Sequence, residues 1–178
     1  MTPALPRGAI TDISGTVSSG RTTMLHRILA EATSQGEVCA VVDAADAFDP
    51  LSAAEAGVEL RRLLWVRCGK KLDRAFKAAD MIVHSGGFGV VALDLCEADN
   101  RDLNGIPLSY WYRFRNALEN TPTRLVVLCH TPLVKACAPL HLETKREGVA
   151  WSGSLTHGVF NGIEFAAEVR KQRTALAG

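Results

Sequence analysis

The stretch Gly15-Thr16-Val17-Ser18-Ser19-Gly20-Arg21-Thr22-Thr23 constrains this chain more than any other. It has the spacing of a phosphate-binding loop: a glycine, four spacer residues, a second glycine, a basic residue and a hydroxyl residue. The run Ala9–Ile13 ahead of it reads as a short strand, and helical spacing begins after Gly20. A helix N-terminus that follows a glycine turn aims free backbone N–H groups at an anion. The pattern nominates Gly15, Ser18, Ser19, Gly20, Arg21, Thr22 and Thr23 as nucleotide-binding, with the Thr22 hydroxyl available to magnesium. An ordinary glycine turn between a strand and a helix is the plainer reading of the same residues.

One position departs from the motif. The usual lysine brings a compact charge to the outer phosphates, whereas Arg21 offers a wide planar fork that needs more room. ATP or ADP with magnesium remains compatible with that exchange; fast phosphoryl transfer does not. A guanidinium lying across the loop is also able to fill the phosphate site itself, so the sequence leaves open that no nucleotide binds.

The remainder alternates buried runs with helical periodicity. Thr22–Ser34 places Met24, Leu25, Ile28, Leu29 and Ala32 on one helical face, and Gly36 stops it. Val38–Val42 is continuously apolar, as a strand covered on both faces must be, and ends in Asp43 and Asp46 with Asp49-Pro50 close behind. A short helix over Leu51–Ala56, a strand over Leu63–Val66 and a helix over Lys70–Ser85 follow. Val90–Asp94 is an apolar strand that delivers a carboxylate at its end, the pattern in which an aspartate holds magnesium through water. Glu97–Pro107 reads as a polar loop, Trp111, Phe114 and Leu118 mark a further helix, and Leu125–Leu128 is a strand leading to Cys129-His130. Leu140–Trp151 and Ile163–Lys171 read as antiparallel strands, with a small basic cluster at Arg170, Lys171 and Arg173. Arg113 and Arg115 read as solvated. Strands alternating with helices imply an α/β fold with a mainly parallel sheet, and nothing suggests a break in the 178 residues, read as one domain.

Composition narrows the class. A formal net charge of +1 argues neither for nor against a nucleic-acid partner, which only a clustered basic patch would indicate. No apolar stretch is long enough to span a membrane, and Met1–Gly8 has no signal-peptide core, so a bacterial-type cytoplasmic location is expected. Five scattered cysteines without a closely spaced pair read as reduced thiols, mostly buried, rather than zinc ligands.

Leu5-Pro6-Arg7-Gly8, the Gly15–Thr23 loop, and Asp43-Ala44 with Asp49-Pro50 together resemble the core of RecA-type recombinases. The likeness is strongest from Leu5 to about Cys68 and continues through Asp94 and Cys129-His130. It implies a RecA-like P-loop core, places Asp49 near adenine, and gives Asp94 the magnesium through water, together with Thr22. It also aligns Arg170 and Lys171 loosely with residues that reach ATP across a filament interface. The departures matter more. Ala45 stands where the resemblance expects an activating glutamate, and Asp46 next door would need a different geometry to substitute. His130 stands where a glutamine senses the γ-phosphate, and the DNA-binding loop after it is shortened between Thr131 and Leu140. The N-terminal polymerisation arm is expected to be missing.

Within that family the chain is most similar to ImuA-type accessory proteins of mutagenesis cassettes. The resemblance implies a non-hydrolysing adaptor in the SOS response and translesion synthesis. Its expected partners are an ImuB-type Y-family polymerase homologue, and also RecA and an error-prone C-family polymerase, docked in the groove an absent arm leaves open. Two other readings stay open: a working ATPase or recombinase in which Arg21 and Asp46 compensate, and a RecA-fold inhibitor of cell division.

Overall fold

The computed structural model describes residues 4–154 and 157–172. The chain enters the sheet through β1 (Ala9–Gly15), turns into α1 (Arg21–Ser34) and returns as β2 (Cys39–Asp43). After α2 (Pro50–Glu55) come β3 (Leu63–Arg67), α3 (Leu72–Ser85) and β4 (Val90–Asp94). Then α4 (Asn100–Asn104) and α5 (Leu108–Leu118) precede β5 (Arg124–Cys129), β6 (Leu140–Ser154) and β7 (His157–Gln172). The strands form one seven-stranded sheet in the order β3-β2-β4-β5-β1-β6-β7. All neighbours from β3 through β6 run parallel, and β7 returns antiparallel to β6.

The reason is in the strands. β2, β4 and β5 are apolar on both faces because helices cover both. On one face α3 and α5 press Phe76, Trp111, Phe114 and Leu118 onto Ile10, Val42, Leu93 and Leu125. On the other, α1 sets Met24, Leu25, Ile28 and Leu29 against Ile13, Val41 and Leu128. Each such side chain taken fully out of water contributes roughly 1.5–3 kcal/mol. At the amino end of the sheet Glu37 ties β2's approach to Arg7 at 2.6 Å and also to Arg124 of β5. β3 is the outer strand and is only half covered.

Two expectations need correction. Glu97–Pro107 is not all loop: Asp99 caps a turn of helix by accepting from the Arg101 N–H at 2.8 Å, and Leu103 is buried beneath it. The β6–β7 pair is antiparallel as read, but β6 is no mere extension, because Thr11–Gly15 pairs in parallel with Leu140–Thr144. Most other boundaries move by one or two residues, but β6 runs on past Trp151 to Ser154 and β7 begins well before Ile163, at His157; the Glu97–Pro107 span ends against α5, which starts at Leu108. Arg173 lies outside the described residues.

Candidate functional site

β1 delivers the loop at the carboxyl edge of the sheet, between β5 and β6. Gly15 is required there by contact: a Cβ would run into the Thr144 and Ser19 hydroxyls. The Thr144 hydroxyl donates to the Ser14 carbonyl at 3.2 Å, so the Ser19 hydroxyl, 2.7 Å away, donates to Thr144. Ser19 N–H meets the Thr16 carbonyl at 3.2 Å, and Gly15 N–H meets that of His130 at 3.3 Å. The loop is thus fastened to both neighbouring strands. Ser18 (φ 59°) and Gly20 (φ 94°) both take left-handed backbone, which turns the chain into α1.

No side chain caps the N-terminus of α1. The first-turn N–H groups of this fourteen-residue helix therefore face the loop, with Thr22 and Thr23 exposed beside them. That cradle fits a phosphate, and the positive end of the helix dipole favours one. Were a nucleotide bound, the backbone of Ser18–Thr23 would hold its phosphates, and Thr22 with Asp94 would hold magnesium. Such a group would supply a charge-dense anion and a phosphoanhydride bond; the chain's own side chains decide whether that bond is only held or also broken.

Arg21 turns inward. It is only 6% exposed, and its Nη1 lies 3.1 Å from Nδ1 of His130. Arginine has no acceptor, so Nδ1 accepts and the His130 ring carries its proton on Nε2. Asp94, at the end of β4, accepts from the Cys96 N–H at 3.0 Å. Burial pushes its carboxyl up, Asp43 adds to that, and the Cys96 N–H and the Arg21 charge pull the other way. Arg21, His130 and Asp94 come from α1, the end of β5 and the end of β4, and they form the side-chain floor beside the loop.

The acidic residues after β2 do not line this floor with free carboxylates. Buried Asp43 accepts from Ala47 N–H (3.1 Å), Phe48 N–H (2.8 Å) and Trp65 Nε1 (3.2 Å), and so builds its own loop. Asp46, the residue that sequence offered as a stand-in for the glutamate missing at Ala45, accepts from Gly69 N–H at 3.1 Å and pairs with Arg67 at 3.7 Å. It is drawn toward the end of β3. Asp49 caps α2, accepting from Leu51 N–H, Ser52 N–H and the Ser52 hydroxyl, and those bonds hold its carboxyl below the usual carboxylate range. Arg170 is engaged by Glu143 and, at 3.1 Å, by Glu168. Arg113 pairs with Asp80 at 2.6 Å and still keeps 61% of its side chain exposed, so it is solvated as read.

Three residues of the site escaped the sequence. Asp12, buried within β1, accepts from the Leu133 and Val134 N–H groups at 2.9 Å each and pins the loop after β5. A carboxylate inside an apolar strand was the available signal. His26, 6% exposed on α1, sets its ring edge-on to Phe48, and its Nε2 has no hydrogen-bond partner among the described residues. Burial lowers its pKa against the pull of Asp49 and Asp94. Thr144 gave no sign at all. All five cysteines are free thiols, four buried and Cys96 half-buried, and burial pushes the Cys39 thiol up to about 11. No group of His, Cys, Asp and Glu among the described residues is arranged to hold a metal ion. Among those residues no helix is long and apolar enough to cross a membrane.

Residues 2–102 match the family described as the RecA N-terminal domain. Over 90 residues, 51% of this chain, the sequence is 46% identical to Protein RecA of Rhodospirillum rubrum and covers 24% of that protein. It is 44% identical over the same length to Protein RecA of Methylococcus capsulatus, covering 26% of it. The chain thus spans about a quarter of the length of the curated relatives it matches. In three dimensions it resembles the RadB recombinase with a TM-score of 0.67, over 96% of this chain and 84% of that one, at 15% identity.

Proposed function

From the premise that this chain belongs to the RecA family, we propose that it is a non-hydrolysing RecA-like adaptor of the ImuA type. It acts in the cytoplasm, at the nucleoid, in SOS-induced translesion synthesis. The observation that carries the reading is the state of Arg21: buried, and bonded to His130. The one basic side chain of the loop is spent on the fold. The carboxylate expected to orient water is missing too, since position 45 is alanine and Asp46 is held by Gly69 and Arg67. Positioning and charge stabilisation are nearly all that a protein contributes to phosphoryl transfer, so a site short of both binds better than it reacts.

The partner we infer is an ImuB-type Y-family polymerase homologue, with RecA and an error-prone C-family polymerase as further members of the assembly. The docking surface is the outer edge of β3. Leu64 there is 44% exposed and lies on the same strand face as Val66, which packs on the α3 side. An open edge strand with apolar side chains accepts an added strand from another chain.

The test has two arms. Phosphate release from Mg-ATP, with and without single-stranded DNA, should stay at the no-protein background, while calorimetry should report saturable binding of Mg-ATP. Size-exclusion chromatography with each polymerase partner should give a complex that Leu64→Asp abolishes. Steady turnover would sink the non-hydrolysing claim, and failure to complex any of the named partners would sink the adaptor claim.

A further inference from the structure

The α3 side of the sheet carries a trough lined by no residue of the phosphate-binding loop or of β3, although Ala45 belongs to its wall. A cavity of about 550 Å³ opens over the carboxyl ends of β2 and β4, walled by Ala44, Ala45, Leu72, Glu97 and Asp102. A smaller one of about 180 Å³ adjoins it, walled by Leu72, Phe76, Ile106, Tyr110 and Asp102. Leu72 and Asp102 belong to both, so these are two ends of one trough.

The two ends differ in chemistry. The smaller is apolar and firmly built: the Phe76 ring packs edge-on to Tyr110 at 5.3 Å and to Trp111 at 5.4 Å, and Trp111 is itself fully buried. Tyr110 nevertheless keeps 41% of its surface exposed. A half-exposed aromatic held by a buried one is the kind of group that dominates protein interfaces, since it buries area without losing much side-chain freedom. The larger end is charged. Among the described charged residues lining the two cavities, Asp73, Glu97, Asp99 and Asp102 are acidic and only Lys70 is basic. Asp99 caps α4, and Asp73 lies 3.9 Å from Lys77. Even with both set aside, Glu97 and Asp102 outnumber Lys70. Such a lining repels a phosphate backbone and attracts cations.

We propose that this trough docks a segment of a partner protein that seats one aromatic or leucine side chain against Leu72, Phe76 and Tyr110. Lysine or arginine flanks that anchor and meets Glu97 and Asp102. The proposal does not rest on Arg21 or on Leu64, because no residue of the phosphate-binding loop or of β3 lines either cavity.

The experiment is selection of a displayed random-peptide library on the full chain, followed by anisotropy titration of the enriched peptides. Enriched sequences should carry net positive charge around an aromatic or leucine. Their affinity should weaken with added salt and drop about tenfold or more in Asp102→Lys, a change at an exposed position that should leave the melting temperature in place. Tyr110→Ala should weaken the same peptides without altering their salt dependence. Enrichment of neutral or acidic peptides, no enrichment, or unchanged affinity in Asp102→Lys would overturn the proposal. So would displacement of the peptides by oligothymidylate, which would assign the trough to nucleic acid. The polymerase complexes can fail to form while these peptides bind, so the two readings stand or fall separately.

Discussion

Removing the His130 ring tests whether the fold has taken Arg21 out of service. In the structure the guanidinium is 6% exposed and donates to His130 Nδ1 at 3.1 Å. His130→Ala deletes that acceptor and leaves a buried cation short of a partner. A hydrogen bond to a charged group is worth about 1.5–3 kcal/mol, and the loss falls at the upper end when the charge cannot reach water. For a chain of this size each kcal/mol moves the melting temperature by about 2–4 °C, so His130→Ala should melt about 3–12 °C lower. Scanning calorimetry of the wild type, His130→Ala, Arg21→Met and the double variant closes a thermodynamic cycle. The coupling should be about 1 kcal/mol or more, because groups in direct contact are the ones that fail to add. Additive effects within about 0.5 kcal/mol would refute the reasoning, since the two side chains would then be independent.

The same geometry bears on other positions. Burial raises the Asp94 carboxyl above its unfolded value, so the native state holds more protons than the unfolded one between those two values. Stability is therefore lost as pH rises through that window; Asp94→Asn should melt higher than wild type at neutral pH, with the gain vanishing in acid, and a lower melt at neutral pH would show that the Arg21 attraction outweighs desolvation. His26 has the opposite window, since its folded pKa lies below the unfolded value near 6.5. Its contribution is complete above that value and declines as pH falls toward the folded pKa, so His26→Phe should flatten acid unfolding just below about pH 6.5. Gly15→Ala should cost about 1–3 kcal/mol by driving a methyl group into Thr144 and Ser19, and Thr144→Ser with Gly15→Ala should recover little, because both hydroxyls remain. Asp49→Ala should lower the melting temperature as a lost helix cap. If the same change weakens Mg-ATP binding beyond that loss, Asp49 also touches the nucleotide.

Much of the fold could be read before any coordinates. The continuously apolar runs at Val41-Val42, Val90–Leu93 and Leu125–Leu128 have no polar face to solvate, so they had to be buried parallel strands. The phosphate loop was legible because its signal is local: two glycines at fixed spacing ahead of a helix. The features that escaped were set by long-range pairing or by turns that consume side chains. Thr144 fastens the loop from a strand far along the chain, and a lone threonine carries no mark of that. Asp46 and Asp49 look alike in sequence, yet one is drawn to Gly69 and Arg67 and the other caps α2. A carboxylate just past a strand is available for chemistry only if the backbone N–H groups around it are satisfied elsewhere. The α4 turn escaped because five residues are too few to show a period.

The separation of cradle from chemistry has a consequence for how the site responds to nucleotide. The groups that would donate to a phosphate are backbone N–H groups fixed by β1, α1 and the Thr144 anchor, and exchanging lysine for arginine leaves them in place. The side-chain charge is different, because Arg21 reaches a phosphate only by leaving His130. If breaking that bond costs about 1.5–3 kcal/mol, nucleotide affinity falls by about ten- to 150-fold relative to a loop whose cation is already free. His130 closes β5, the neighbour of both β1 and β4, so a nucleotide that does recruit Arg21 frees a group at the centre of the sheet edge. His130→Ala should accordingly tighten Mg-ATP binding even as it lowers the melting temperature. Arg21→Lys should tighten it as well without restoring hydrolysis, since Ala45 still offers nothing to orient water. Tightening in neither variant would mean that the arginine is no obstacle and that the cradle alone sets the affinity.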